Sequence, residues 1–390
     1  MQQLQIKGWI LILILGTAFT ACRNDKAGEP SGKIQLGAIF CLTGHISDMG
    51  IPSSKGAQLA VSQLNEAGGI GGQTVDLILE DSKSDTAAVR QIAGKMLQEH
   101  PEIPLLFGIS DSDLARTAGQ VTAKEHRVFL TSGATSPLLP AQVPDYLYLA
   151  CFGDNVQAAA AAEWAYSTLN ARTVAVVYDS VETYTLLLHQ YFISRFESLG
   201  GQVLAVQAYD PADMSRLGQG LPQADFVFLA AEAAPEAQQG VQLLRDAGIT
   251  TPIVGGDGFD SEDLWEAHPQ VKDVYYTTHV YLGADNPDES IQNFRQAYLK
   301  AYGGNTPDAF SALGYDTANL LADVIRRADS RSPEALRKAL AETDGFAGIT
   351  GTISYAGGRQ VPRKSVTIIE VKDGKRRFVK QVVPAVIPNP

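Results

Sequence analysis

From Ile34 onward, short apolar runs alternate with longer segments whose apolar residues recur three and four apart, and this alternation predicts parallel sheet covered by helices. Residues 34–39 read as a strand. Residues 54–67 follow as a helix with Leu59, Ala60, Leu64 and Ala67 along one side, stopped by Gly68 and Gly69. Strands over 75–80, 105–107, 128–131 and 147–151 interleave with helices over 87–100 and 114–125. After Cys151 the alternation starts again, with strands over 174–178, 203–209, 226–230, 253–255 and 274–278 and helices over 155–169, 185–199 and 235–247. Helices over 290–302, 309–327 and 333–342 come next with hardly a strand between them, so they need a sheet supplied by another part of the chain. The tail changes period once more: residues 350–355, 365–372 and 377–383 read as strands joined by Gly-rich turns, and 384–390 as an end without structure.

Two successive αβ series suit a chain of 390 residues, which is more than one core usually supports. A formal charge of −12 without a long basic run excludes a phosphate backbone as partner, so no nucleic acid is expected. Residues 1–21 read as an export signal, with Lys7 as the charge, an apolar run over 8–19 and small residues before Cys22. Phe19-Thr20-Ala21-Cys22 is similar to the lipobox of bacterial lipoproteins, with Phe19 in place of the usual leucine. That similarity makes Cys22 the lipidated first residue of the exported chain and residues 22–33 a tether. Cys41 and Cys151 remain, as a disulfide or as two buried thiols.

The loop Thr131-Ser132-Gly133-Ala134-Thr135-Ser136-Pro137 leaves a strand with hydroxyls and small residues, which suits a grip on an anion or, equally, a plain connection. Catalytic sets are missing from the sequence: there is no Gly-x-Ser-x-Gly elbow and no phosphate loop. The run Gly68-Gly69-Ile70-Gly71-Gly72 follows a helix and precedes a strand, the reverse of a dinucleotide loop. The six histidines show no ligand spacing, and Asp257, Asp260 and Asp263 miss the calcium-loop pattern, so no metal or cofactor is expected. By default each histidine belongs to the surface or the core.

Several short motifs, taken with the order of elements, resemble the type I periplasmic binding proteins, in particular the leucine/isoleucine/valine-binding receptors of ABC transporters. They are Leu42-Thr43-Gly44, Gly50, Lys55-Gly56-Ala57-Gln58-Leu59-Ala60, Asn65 to Gly72, Glu80-Asp81, Asp154-x-x-Gln157, Gly255-Gly256-Asp257-Gly258 and Gly314-Tyr315-Asp316. The resemblance implies two Rossmann-like α/β lobes joined by three crossings with a ligand cleft between them. Lobe I would take residues 34–150 and 282–345, and lobe II residues 151–281 and 346–390. It implies a monomer that is no enzyme and passes a small molecule to a permease, while the lipobox similarity implies contact with the membrane through a lipid anchor only.

Carried over by position, Ser112, Gly133, Ala134 and Thr135 match the family's grip on the ligand carboxylate. Tyr184 matches the tyrosine that closes over the ligand, although Thr185 replaces the glycine usual after it. Asp257 matches the acid that pairs with the ligand ammonium, so the set describes an α-amino acid. Singly, Ser112 and Asp257 also read as helix caps. Met49 and Glu232 stand where family members carry aromatic residues, which leaves the side-chain pocket open and admits a polar or cationic ligand. Other readings are a sensory subunit for a signalling system, a receptor for a carboxylate or amide that is not an amino acid, and an exported enzyme, for which the sequence offers no nucleophile with a base.

Overall fold

The computed structural model describes residues 32–390, so the signal segment and Cys22 lie outside the described residues. The first half runs β1 (Ile34–Phe40), α1 (Ser47–Glu66), β2 (Val75–Asp81), α2 (Thr86–Glu99), β3 (Leu105–Gly108), α3 (Ser112–Lys124), β4 (Val128–Thr131), α4 (Leu139–Gln142) and β5 (Leu147–Leu149). These strands form one parallel sheet of order β2-β1-β3-β4-β5. The second half runs α5 (Asp154–Ser167), β6 (Thr173–Asp179), α6 (Thr183–Ser198), β7 (Gln202–Tyr209), β8 (Phe226–Ala230), α7 (Ala234–Asp246), β9 (Ile253–Gly255), a 3-10 turn (Asp257–Phe259), α8 (Glu262–Glu266) and β10 (Val274–Thr278). Then come α9 (Glu289–Ala301), α10 (Ala309–Arg327), α11 (Pro333–Ala341), the hairpin β11 (Phe346–Gly348) and β12 (Gly351–Ile353), β13 (Val366–Lys372) and β14 (Lys375–Val382). The second sheet has the order β14-β13-β10-β9-β8-β6-β7, with β13 and β14 antiparallel on its edge.

The inner strands of each sheet are buried on both faces, which is why they read as continuous apolar runs: all five residues of Phe-Val-Phe-Leu-Ala in β8 are buried. On one face of the first sheet Val89 and Ala93 of α2 and Ala115 and Ala118 of α3 pack against Leu106 and Phe129. On the other, Ala57 and Ala60 of α1 and Leu320 and Leu321 of α10 pack against Leu36, Phe40 and Leu130. The late helices therefore return to the first sheet, as the missing strands required. Helix α1 begins at Ser47, ahead of the expected start at residue 54, and takes Pro52 inside. Helices α1 and α10 approach so closely that a Cβ on Gly56 would fall 1.8 Å from the Ser311 carbonyl oxygen, and one on Gly314 1.9 Å from that of Ser53.

One expectation about the tail changes. The hairpin of β11 and β12 stays with the first lobe, so the division expected at residue 345 moves toward β13: Ile353 and Tyr355 join the first core, and Tyr355 Oη donates to the Leu149 carbonyl at 2.7 Å. The physical tie is Asp316 on α10, whose carboxylate accepts the N–H groups of Ile349 and Thr350, both at 2.7 Å. The final residues are also anchored. Glu163 accepts the Ala385 N–H at 2.9 Å, Asn155 Nδ2 donates to the Pro388 carbonyl at 2.8 Å, and Ile387 packs beside Phe152 and Val156.

Candidate functional site

In the order β2-β1-β3-β4-β5 the chain leads off in opposite directions from β1 and β3, and such sheets hold ligands in the crevice beyond the strand carboxyl ends there. The backbone at this point is forced into an unusual shape. Ile109, fully buried and β-branched, sits at φ +46°, a region such residues rarely enter. Its N–H donates to the Ile39 carbonyl at 2.9 Å, and its own carbonyl accepts Thr131 Oγ1 at 2.6 Å. The same Thr131 oxygen accepts the Ala134 N–H at 2.9 Å. One hydroxyl thus ties the β3 exit to the β4 exit and sets Ser110 against the 131–137 loop. Gly133 fits there because a Cβ would fall 2.7 Å from Ser110 Oγ.

The second lobe faces this loop with the ends of its own strands. Met49, Ser110, Gly133, Thr135 and Phe310 from the first lobe and Tyr184, Glu232, Asp257 and Gly258 from the second line one cleft. The space between them is about 10 Å³ for the centres of water-sized spheres, room for about one water molecule. The walls contributed by the two lobes therefore stand close together at this point.

Asp257, buried to 4 % exposure, is held by three side chains. Its Oδ1 accepts Tyr184 Oη at 2.8 Å and Gln157 Nε2 at 2.9 Å, and its Oδ2 stands 2.9 Å from His279 Nε2. Gln157 is fixed in turn, because its Oε1 accepts Thr277 Oγ1 at 2.9 Å and the Asp257 N–H at 3.2 Å. The His279 ring stacks on Phe152 with centroids 3.8 Å apart, and burial holds its pKa below the ordinary value, so the neutral imidazole donates from Nε2. Burial and the neighbouring Asp257 charge push the Tyr184 hydroxyl well above its ordinary pKa and keep it a donor. Such an arrangement presents a carboxylate of fixed orientation to the cleft.

Elsewhere around the cleft, burial raises carboxyl groups above their ordinary range. Burial pushes Asp111 up to about 6, Glu182 up to about 7 and Glu236 up to about 7. Burial raises Asp154 well above the carboxylate range too, against the hydrogen bonds of Thr135 and Gln157, which lower it.

A family model described as periplasmic binding protein matches residues 33–376. The chain belongs to that family. It is a type I member of the branched-chain amino acid group, a substrate-binding protein of the ABC-transporter type. The Leu/Ile/Val-binding protein homolog 1 of Brucella melitensis is 26% identical over 366 residues, 91% of this chain and 95% of its own. LivJ of Streptococcus pneumoniae, solved with isoleucine, superposes with a TM-score of 0.83 at 25% identity, over 90% of this chain and 100% of its own. The leucine-binding protein LivK of Thermotoga maritima superposes with a TM-score of 0.80 at 28% identity, over 90% of this chain and 99% of its own. At 18% identity, an R. palustris solute binding protein solved with benzoate has the same fold, with a TM-score of 0.78 over 92% of this chain and 98% of its own. The family works outside the cytoplasm, and no helix among the described residues is long and apolar enough to cross a membrane.

In this binding protein, Gly133, Thr135, Tyr184, Asp257, Met49 and Glu232 come together at one cleft from positions spread over 209 residues (257 − 49 + 1). Ala134 directs its N–H into its own loop, toward Thr131, and not toward the cleft. Ser112 opens α3 with its hydroxyl buried and unpartnered, because Asp111 caps the helix instead, accepting the Leu114 N–H at 2.6 Å. Ser110, Phe310 and His279 escaped the reading of the sequence. His279, taken by default for a surface or core residue, stands against the acid that a ligand would meet, and nothing in its local sequence signals that. Cys41 and Cys151 are free and buried: Cys41 Sγ accepts Ser82 Oγ at 3.0 Å, and Cys151 Sγ donates to the Ala134 carbonyl at 3.2 Å.

Proposed function

We propose that this protein is a lipid-anchored receptor, attached through Cys22, that binds an α-amino acid between its lobes and delivers it to an ABC permease without breaking a bond. Ser110, Ser112, Gly133 and Thr135 receive the ligand carboxylate, Asp257 receives its ammonium, and Tyr184 covers it. The observation that carries this reading is Asp257, a buried carboxylate oriented by Tyr184, Gln157 and His279 at the wall of a cleft whose opposite wall is built of hydroxyls and a glycine. One wall suits an anion and the other a cation, which is the charge pattern of an α-amino acid. A carboxylate ligand without an amine, such as benzoate, has no use for the charge on Asp257. That relatives named for leucine, isoleucine and valine share the fold over nine-tenths of the chain supports the same class.

The test is a thermal-shift screen of protein unfolded and refolded without ligand, against amino acids, simple carboxylates and amides. A ligand that binds only the folded state raises the melting temperature, by an amount that grows with its concentration over Kd. Shifts with α-amino acids and none with their deaminated analogues support the proposal. Shifts with benzoates or amides alone defeat it.

A further inference from the structure

Glu232 is the buried carboxylate that an α-amino acid backbone leaves over. It follows β8 at the wall of the cleft, 5 % exposed, and its Oε2 is buried without a hydrogen-bond partner. Its backbone is held in place. The Glu232 N–H donates to Glu236 Oε2 at 3.2 Å, and its carbonyl lies where a Cβ on Gly258 would come within 2.6 Å. The charges around it are of its own sign: Asp111 from the first lobe, then Glu182, Glu236 and Asp179 from the second, all raise its pKa beyond what burial does. The imidazole of His45 stands 3.9 Å from Glu182 Oε1, with its side chain 62% exposed. No Lys or Arg is among the residues that line the cleft.

A buried, unpaired carboxyl is costly unless something neutralises it. For a branched-chain side chain, an apolar group would serve better at this place. We infer that the ligand carries a second positive charge on its side chain, and that Glu232 is the group that receives it, so that the receptor selects a dibasic amino acid over a branched-chain one. The inference rests on the reading in which Asp257 takes the α-ammonium. Asp111 and Glu182 add two further acids near Glu232, so a cation is favoured there over a second anionic group.

The experiment compares ornithine, lysine and arginine with norleucine, leucine and isoleucine by calorimetry on the refolded protein. Norleucine keeps the length of lysine and lacks only its side-chain ammonium. The expected result is that at least one dibasic amino acid binds about tenfold or more tighter than norleucine, the scale of one charge-assisted hydrogen bond. Glu232→Gln then shrinks that ratio several-fold, with folding checked by circular dichroism. Leucine, isoleucine or norleucine binding as tightly as every dibasic ligand overturns the inference and leaves the amino-acid reading standing. Failure of every α-amino acid to bind overturns both. The wild-type comparison decides even if Glu232→Gln does not fold, and an unchanged ratio in a folded variant also overturns the assignment to Glu232.

Discussion

Tyr184 Oη donates to Asp257 Oδ1 over 2.8 Å, joining the first turn of α6 to the 3-10 turn after β9. The two residues are 73 positions apart in the chain. They form one unit, because the acid owes part of its orientation to the phenol. On the proposed function, removing the carboxylate with Asp257→Ala leaves a ligand ammonium buried without its partner, and amino-acid affinity is expected to fall by about 2–5 kcal/mol. Tyr184→Phe keeps the carboxylate and loses one neutral donor, so the expected loss is smaller, about 0.5–1.5 kcal/mol. Titration calorimetry with the amino acid that stabilises the protein most measures both. An Asp257→Ala affinity equal to that of the wild type refutes the role of the acid.

Thr131 tests the loop. Its hydroxyl donates to the Ile109 carbonyl and accepts the Ala134 N–H, all of them buried, and Ile109 is held at a positive φ beside them. Thr131→Val has the same shape and leaves a carbonyl and an N–H without partners. The expected cost is about 1–3 kcal/mol, seen as a lower urea midpoint at constant m-value. Ligand affinity should fall as well, since Ser110 and Gly133 flank the tie. A midpoint equal to the wild type shows that Ile109 is held by its other contacts alone.

The sequence carried the fold well because burial on both sheet faces leaves long apolar runs, and because glycines such as Gly56 and Gly314 are demanded by backbone approach and not by local conformation. Beyond the 131–137 loop, whose hydroxyls and small residues suggested an anion grip, the cleft was legible only through resemblance. Gly133, Thr135, Tyr184, Asp257, Met49 and Glu232 carry no common spacing, since the lobes that bring them together are built by separate sheets. Ser112 was legible as a residue near the third strand, but which of Asp111 and Ser112 caps α3 depends on backbone angles that composition does not show. His279 was illegible. Its meaning comes from Asp257, reached across a turn and a strand, and from the Phe152 ring stacked on it. Residues 384–390, read as an end without structure, form no helix or strand, while Glu163 and Asn155 on α5 supply partners that hold them, which the local sequence does not show.

The contact of α1 with α10 gives a stability prediction independent of the ligand. Gly314 leaves no space for a methyl group, with the Ser53 carbonyl oxygen at 1.9 Å from the Cβ position, and the obstacle is backbone that cannot swing aside. Alanine has the better helix propensity, by about 1 kcal/mol, so an exposed helix would gain from Gly314→Ala. Here the helices must separate, and overpacking of this kind costs about 1–3 kcal/mol or more. The expected outcome is a lower melting temperature in ligand-free protein. A rise would mean that propensity outweighs the close approach.

Acid pKa values around the cleft set an unusual pH dependence. Burial raises Asp111 to about 6, Glu182 and Glu236 each to about 7, and Asp308, the cap of α10, to about 8, and it raises Glu232 and Asp154 as well. In the unfolded chain these groups titrate near 4. Between about 4 and their folded values the native state holds protons that the unfolded state has lost, so stability falls as pH rises through that interval. His279 acts in the other direction, because burial lowers its folded pKa: the unfolded chain takes up the proton first, and stability falls as pH drops below about 6.5. From about pH 6.5 to 8 the carboxyl groups therefore act without that opposition. The melting temperature of ligand-free protein should decrease by at least about 2 °C across this window, in calorimetric scans at constant ionic strength. Glu236→Gln, which removes a carboxyl group and keeps an acceptor for Tyr209 Oη, now 2.5 Å away, should flatten the slope. A melting temperature that rises from pH 6.5 to 8 would show that these carboxyls ionise at their ordinary values and that the cleft is wetter than its close walls imply.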